Sequence, residues 1–201
     1  MNKLFDFLKK NSTDIIKPTA VLLAICVIIP LALSLTNKIT VKKIARLEEE
    51  NSKKAMASLI EADDFSTVTV SDSEYYEAVK DGKTVGYIFK TSAKGYGGDV
   101  SVMTAVNPDG TVKSVAILDV SNETPGLGQN AAKESFYSQY AGKKKGISLL
   151  KNGADSEKNE VDAVTGATIT STAVNRAVNK ALDEFEKLSE STNTAEVTDS
   201  E

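Results

Sequence analysis

Between Pro18 and Leu35 every residue is apolar or small and none is charged. No other feature of the chain constrains its fold as strongly. As a helix this run extends about 27 Å, close to the hydrocarbon thickness of a bilayer. A helix satisfies its backbone hydrogen bonds internally, as lipid requires, so the run reads as one transmembrane helix over residues 18–36. A cleavable signal peptide is the competing reading. Against it, the run is long for a signal core, and no small-x-small cleavage motif is followed by a clear change in composition. Pro30 lies inside the span as a kink site, which membrane helices tolerate. Lys3, Lys9, Lys10 and Lys17 precede the span while Lys38, Lys42, Lys43 and Arg46 follow it, so charge leaves its orientation open. With no Asp, Glu, Lys, Arg or His inside it, the span offers no ion path of its own.

Beyond a short N-terminal segment (1–17) and the span, the pattern becomes that of a folded domain. Val41, Ile44, Leu47, Ala55, Leu59 and Ile60, with the pairs Glu49→Lys53 and Glu50→Lys54, predict a stalk helix within 37–64. Strand signals follow at Thr67–Val70, then at Tyr75–Lys80 and Thr84–Lys90 around the hairpin dipeptide Asp81-Gly82. A second hairpin is predicted from Ser101–Val106 and Thr111–Val120 around Asn107-Pro-Asp-Gly110. A short helix over Ala131–Tyr140 and a short strand over Ile147–Leu150 come next. Val174, Ala177, Val178, Ala181, Leu182, Phe185 and Leu188 recur at three- and four-residue steps and predict a helix packed on the sheet. From Ser189 to Glu201 little can be buried, and the acidic tail is predicted to be disordered. The expected fold class is α+β: one transmembrane helix, a stalk, and a domain over 65–188 with an antiparallel sheet and a packed C-terminal helix.

Composition restricts the chemistry. The net charge of −4 provides no basic field for nucleic acid. Histidine is absent and Cys26, a membrane packing residue, is the sole cysteine. This removes histidine-based triads, the usual haem ligand, cysteine-held iron–sulfur clusters and disulfides within the chain. No metal site and no catalytic side-chain constellation is expected, so a redox role would need an organic cofactor.

Three glycine-bearing loops stand out: Gly95-Tyr96-Gly97-Gly98, Glu123-Thr124-Pro125-Gly126-Leu127-Gly128, and Thr165-Gly166-Ala167-Thr168-Ile169-Thr170-Ser171. The third opens the C-terminal helix, where free N–H groups and the helix dipole favour an anion such as phosphate. On local chemistry alone its hydroxyls read more readily as helix caps and turn residues. Leu127, set between two glycines, either covers the core or lies on a flat aromatic ligand. Tyr96 adds one aromatic side chain.

In this order the three motifs, the third beginning at Asp162, resemble the FMN-binding domain family, and within it the G subunits of the Rnf ion-translocating oxidoreductases; the C subunits of the sodium-translocating NADH:quinone oxidoreductases are similar relatives. The resemblance covers the anchor and the domain through about Leu188. It implies FMN held by a phosphoester to Thr168, with Asp162 in the motif read by a separate flavin transferase. It further implies cofactor contacts from Thr165, Gly166 and Ala167, from Glu123, Thr124, Pro125, Gly126, Leu127 and Gly128, and from Tyr96, Gly97 and Gly98. Thr165 stands where the family often has serine and keeps the hydroxyl. The implied role is electron relay, not catalysis alone, in a translocase complex with other membrane subunits, one of them a second covalent-FMN subunit. The implied location is the inner or plasma membrane, single-pass, with the domain on the extracytoplasmic side. A flavin-free membrane-tethered binding module is the reading from a different class.

Overall fold

The computed structural model describes residues 12–70 and 73–198. The N-terminal residues 1–11 and the last residues of the tail, 199–201, lie outside the described part. Two compact units divide at Glu50 and Asn51.

The first unit is helical. Helix α1 runs over Ser12–Leu59 with Pro18 and Pro30 inside it, so the predicted span and stalk belong to one helix. Its stretch Lys17–Val41 is long and apolar enough to cross a membrane, with a mean hydropathy of 2.5 and no part buried. Leu22, Leu23, Ile28, Leu31 and Leu33 all lie exposed. A stripe of this size facing water would be strongly unfavourable, at about 25 cal/mol for each Å² of apolar surface.

The second unit is built on a five-stranded antiparallel meander, β1 (Asp64–Val70), β2 (Ser73–Lys80), β3 (Lys83–Lys94), β4 (Asp99–Val106) and β5 (Val112–Asp119), paired in chain order. Both predicted hairpins are present, turning at Asp81-Gly82 and at Asn107–Gly110, where Gly110 N–H donates to the Asn107 carbonyl at 2.9 Å. Successive side chains point to opposite faces of a strand, and both faces of this sheet are covered. On one face Ala78, Ile88, Met103 and Ala105 pack with Met56, Leu59 and Ile60 from the end of α1 and the residue after it. Ser114 Oγ fixes that edge by donating to the Leu59 carbonyl at 2.6 Å. On the other face Phe89, Val100, Val102, Val106 and Val115 pack against the C-terminal helix.

That helix, here α3, covers Thr168–Thr198; the four-residue helix Glu134–Tyr137, here α2, precedes it. Ala173, Val174, Ala177, Val178, Ala181 and Leu182 are buried in its face, with Phe185 and Leu188 partly so. Three alanines at four-residue spacing let the helix backbone approach the sheet closely, and Thr91 Oγ1 in β3 donates to the Ala177 carbonyl at 2.9 Å. Where the sequence predicts a disordered tail from Ser189, α3 runs on to Thr198. Adding residues to an anchored helix needs no new nucleus, and Ala195, Glu190 and Glu196 suit it.

The region 131–140 is broken into short pieces, a 3-10 turn at Gly128–Ala132, α2, and a second 3-10 turn at Ser138–Tyr140. Strand β6 (Ser148–Leu150) lies where predicted, and its parallel partner β7 (Glu160–Asp162) has no counterpart in the sequence reading. Only Val161 of β7 is fully buried, so the strand is too short to give a periodic signal. Its placement matters, because it delivers the chain from Asp162 into the turn that starts α3.

Candidate functional site: a cleft at the start of the C-terminal helix

The three glycine loops meet at one end of the sheet, and Glu123 joins them. Its side chain is 2% exposed. Its carboxylate accepts from Gly97 N–H at 2.9 Å, from Tyr96 N–H at 3.3 Å and from the Thr170 hydroxyl. Burial pushes the Glu123 pKa up, but hydrogen bonds from Thr170, Gly97, Tyr96 and Gly98 outweigh it and leave the group below the ordinary carboxylate value. The glycine at position 97 is required by this packing, since a Cβ there would lie 1.8 Å from the Asn122 carbonyl oxygen. The second loop is held by Leu127 N–H and Gln129 N–H donating to the Thr124 carbonyl, both at 3.2 Å, and by Asn130 Nδ2 donating to the Gly126 carbonyl at 2.6 Å.

The third loop is anchored from both sides. Asp162 pairs through its backbone with the Gln139 side chain, its N–H donating to Oε1 at 2.8 Å, and its Oδ1 accepts from Ala154 N–H at 2.9 Å. Ser171 then acts across the helix start, where Oγ accepts from Val164 N–H at 2.9 Å and donates to the Ala167 carbonyl at 2.9 Å. The four hydroxyls therefore differ in use. Ser171 and Thr170 are buried and engaged, whereas Thr165 and Thr168 are exposed.

Between the loops lies an open cleft of about 500 Å³, lined by Tyr96, Thr124, Leu127, Gly128, Gly166, Ala167, Thr168, Ile169 and Thr170. Its volume falls in the range of small-molecule sites. Tyr96, Leu127 and Ile169 are 71%, 46% and 55% exposed, so three large apolar groups stand open around it. None of its lining residues is charged. At its rim α3 begins with Thr168, and the first-turn N–H groups of a helix have no intrahelical acceptor. Apolar walls for a flat ring and a helix start for a phosphate suit FMN.

The structure thus brings together seven of the residues singled out from the sequence, Tyr96, Thr124, Leu127, Gly128, Gly166, Ala167 and Thr168. Glu123 turns inward as a pin, Gly97 and Gly98 pack behind Tyr96 against Asn122, and Pro125 and Gly126 form the exposed outer turn. Thr165 and Asp162 border a separate depression with Lys133 and Gln139. The sequence reading left Ile169 and Thr170 out of the site. Thr170 stood among the hydroxyls at the helix start, but its link to Glu123 spans 47 positions and has no local signature.

Known proteins resemble this chain over the same region. The FMN-binding domain family model matches residues 95–183, which hold all three loops. The chain is 35% identical over 176 residues to the G subunit of the proton-translocating ferredoxin:NAD(+) oxidoreductase complex of Clostridium ljungdahlii, covering 87% of this chain and 94% of that protein. It is 32% identical to the G subunit of the Na(+)-translocating ferredoxin:NAD(+) oxidoreductase complex of Acetobacterium woodii, with 84% and 90% covered. Among solved structures, NqrC of Shewanella oneidensis superposes with a TM-score of 0.50 at 26% identity, over 56% of this chain and 61% of that one. With its FMN-binding domain and with identity that runs through nearly the whole length of these relatives, the chain belongs to the family of G subunits of the ion-translocating oxidoreductase complexes.

Proposed function

We propose that this chain is the flavin-carrying, electron-relaying subunit of a membrane-bound, ion-translocating ferredoxin:NAD oxidoreductase complex, with FMN in the three-loop cleft joined through its phosphate to Thr168. The observation that carries the reading is the position of Thr168. It is the exposed hydroxyl on the first turn of α3, at the rim of a cleft with apolar walls and no charged lining residue. A phosphodiester there keeps its negative charge at the positive end of the helix. When bound, FMN supplies one-electron chemistry that the chain's own side chains lack. The protein's part is to hold the ring against Leu127, Ile169 and Tyr96 while leaving an open side toward a neighbouring redox subunit. Attachment prevents loss of the carrier on the extracytoplasmic side, where we place the domain, and ion movement belongs to other subunits, because α1 has no Asp, Glu, Lys, Arg or His between Pro18 and Leu35. Partners are therefore the other subunits of the complex, including a second covalent-FMN subunit, together with a flavin transferase and the lipid bilayer.

Co-expression with a flavin transferase tests this. Wild-type protein is expected to give a fluorescent band that survives denaturing electrophoresis, and Thr168→Ala a dark one at equal protein. A fluorescent Thr168→Ala band moves the attachment elsewhere. A dark wild type, with the transferase active on another substrate, ends the covalent attachment; if that protein also takes up no free FMN, the flavin reading ends and the binding module is left. The solved NqrC structures favour a second reading, the equivalent subunit of a quinone reductase. It is the weaker one, since those matches have 26% identity over 61% of each solved chain. Purification with native partners separates the two.

A further inference from the structure

Thr170 and Glu123 meet beneath the cleft floor. Thr170 lines the cleft while being only 2% exposed, and its hydroxyl donates to Glu123 Oε2. An ionised carboxylate can only accept hydrogen bonds, whereas a threonine hydroxyl has one proton and two lone pairs. Glu123 already accepts from two backbone N–H groups, which favours its ionised form. The one hydroxyl proton of Thr170 is therefore committed to Glu123, and the hydroxyl has only lone pairs left to offer a ligand. A ligand group that meets the Thr170 hydroxyl must be a donor.

We propose that Thr170 is a ligand-positioning residue that accepts a hydrogen bond from a hydroxyl or ring N–H of bound flavin, and that Glu123 sets this polarity by holding the Thr170 proton. The inference rests on the flavin reading above. FMN has donors on its ribityl chain and at one ring nitrogen, while its phosphate and ring carbonyl oxygens are acceptors. A lone pair at Thr170 repels those acceptors and directs them to donors, which the first-turn N–H groups of α3 supply. The pair thus distinguishes the two kinds of polar group on one ligand. Glu123 takes part without lining the cleft, which accounts for a buried carboxylate where a neutral hydrogen-bonded pin would serve the packing alone.

The test uses full-length protein in detergent, made without transferase, titrated with FMN and followed by flavin fluorescence quenching. Thr170→Val keeps the shape and removes the acceptor; Glu123→Gln replaces an acceptor-only partner with one that can donate to Thr170. Each is expected to weaken binding about three- to tenfold, the effect of one hydrogen bond. Thr170→Ser is expected to stay within about twofold of wild type, and the double variant to be no weaker than the weaker single. Wild-type affinity in Thr170→Val overturns the contact, and additive losses in the double variant overturn the coupling. Transferase-loaded protein gives an independent readout, the visible circular dichroism of the flavin, expected to change in Thr170→Val and to be restored in Thr170→Ser; an unchanged signal in Thr170→Val also overturns the contact. If Glu123→Gln fails to fold, the valine and serine variants decide. Wild type that takes FMN in neither form ends the flavin reading and this inference with it, whereas flavin-bearing wild type with indifferent Thr170 variants ends this inference alone.

Discussion

Gly97→Ala isolates the steric requirement of the loop junction. The new methyl would lie 1.8 Å from the Asn122 carbonyl oxygen, and real Cβ contacts essentially never fall under 3.0 Å. The Asn122–Glu123 backbone must retreat by roughly 1 Å, in a region packed too tightly to absorb it. That movement strains the bonds from Gly97 N–H and Tyr96 N–H to the Glu123 carboxylate, each worth about 1.5–3 kcal/mol as a bond to a charged group. Losing one and weakening the other costs about 3 kcal/mol. For a unit of this size that corresponds to a fall in Tm of about 6–12 °C. Gly126→Ala is the matched control, since it has φ +75 and nothing within 4 Å of its added Cβ. It bears only the left-handed backbone cost of about 1 kcal/mol, or about 2–4 °C. Thermal unfolding of full-length protein in detergent, followed by circular dichroism, compares the two, with flavin loading as a second measure. If Gly97→Ala melts within about 2 °C of Gly126→Ala, the close approach of loop to loop is not what demands glycine.

Other outcomes follow from the same structure. Glu123 has a folded pKa below its ordinary 4.5, so the stability it adds is complete above that value and is lost as pH falls through the lower folded value. The Tm gap between wild type and Glu123→Gln should thus narrow from pH 6 toward pH 3, and a gap constant over that window would contradict an ionised pin. Phe89, fully buried and 6.5 Å centroid to centroid from Phe185, should cost about 3–5 kcal/mol as Phe89→Ala in urea denaturation; a loss under about 1 kcal/mol would mean that α3 does not dock there. Lys143 is buried and its Nζ donates to the Ser156 carbonyl at 2.7 Å and to the Lys158 carbonyl. Lys143→Met should speed amide hydrogen exchange across 151–159 and cost about 1–3 kcal/mol, and unchanged exchange would show that the loop is held by other contacts.

Local chemistry made much of this protein readable from its sequence. The apolar run needs no partner to declare itself, because its length alone matches the bilayer. Asp81-Gly82 and Asn107–Gly110 carry their turns in four residues or fewer, and the period of Val174, Ala177, Val178, Ala181 and Leu182 exposes the buried face of α3. Thr168 at the start of that helix was visible for the same reason, as were the three glycine loops one by one, but not their meeting. What the sequence could not show is which of those loop residues line the cleft. Gly97, Gly98 and Glu123 belong to the same motifs as Tyr96 and Leu127, yet they form the support behind the cleft. Ile169 and Thr170 enter it from a helix turn that reads locally as a cap. The parallel pairing of β6 with β7 and the bond from Thr170 to Glu123 join residues far apart in the chain. Such contacts exist only after the sheet and α3 have brought the loops together, so the folded structure alone assigns one carboxylate to the interior and one hydroxyl to the rim.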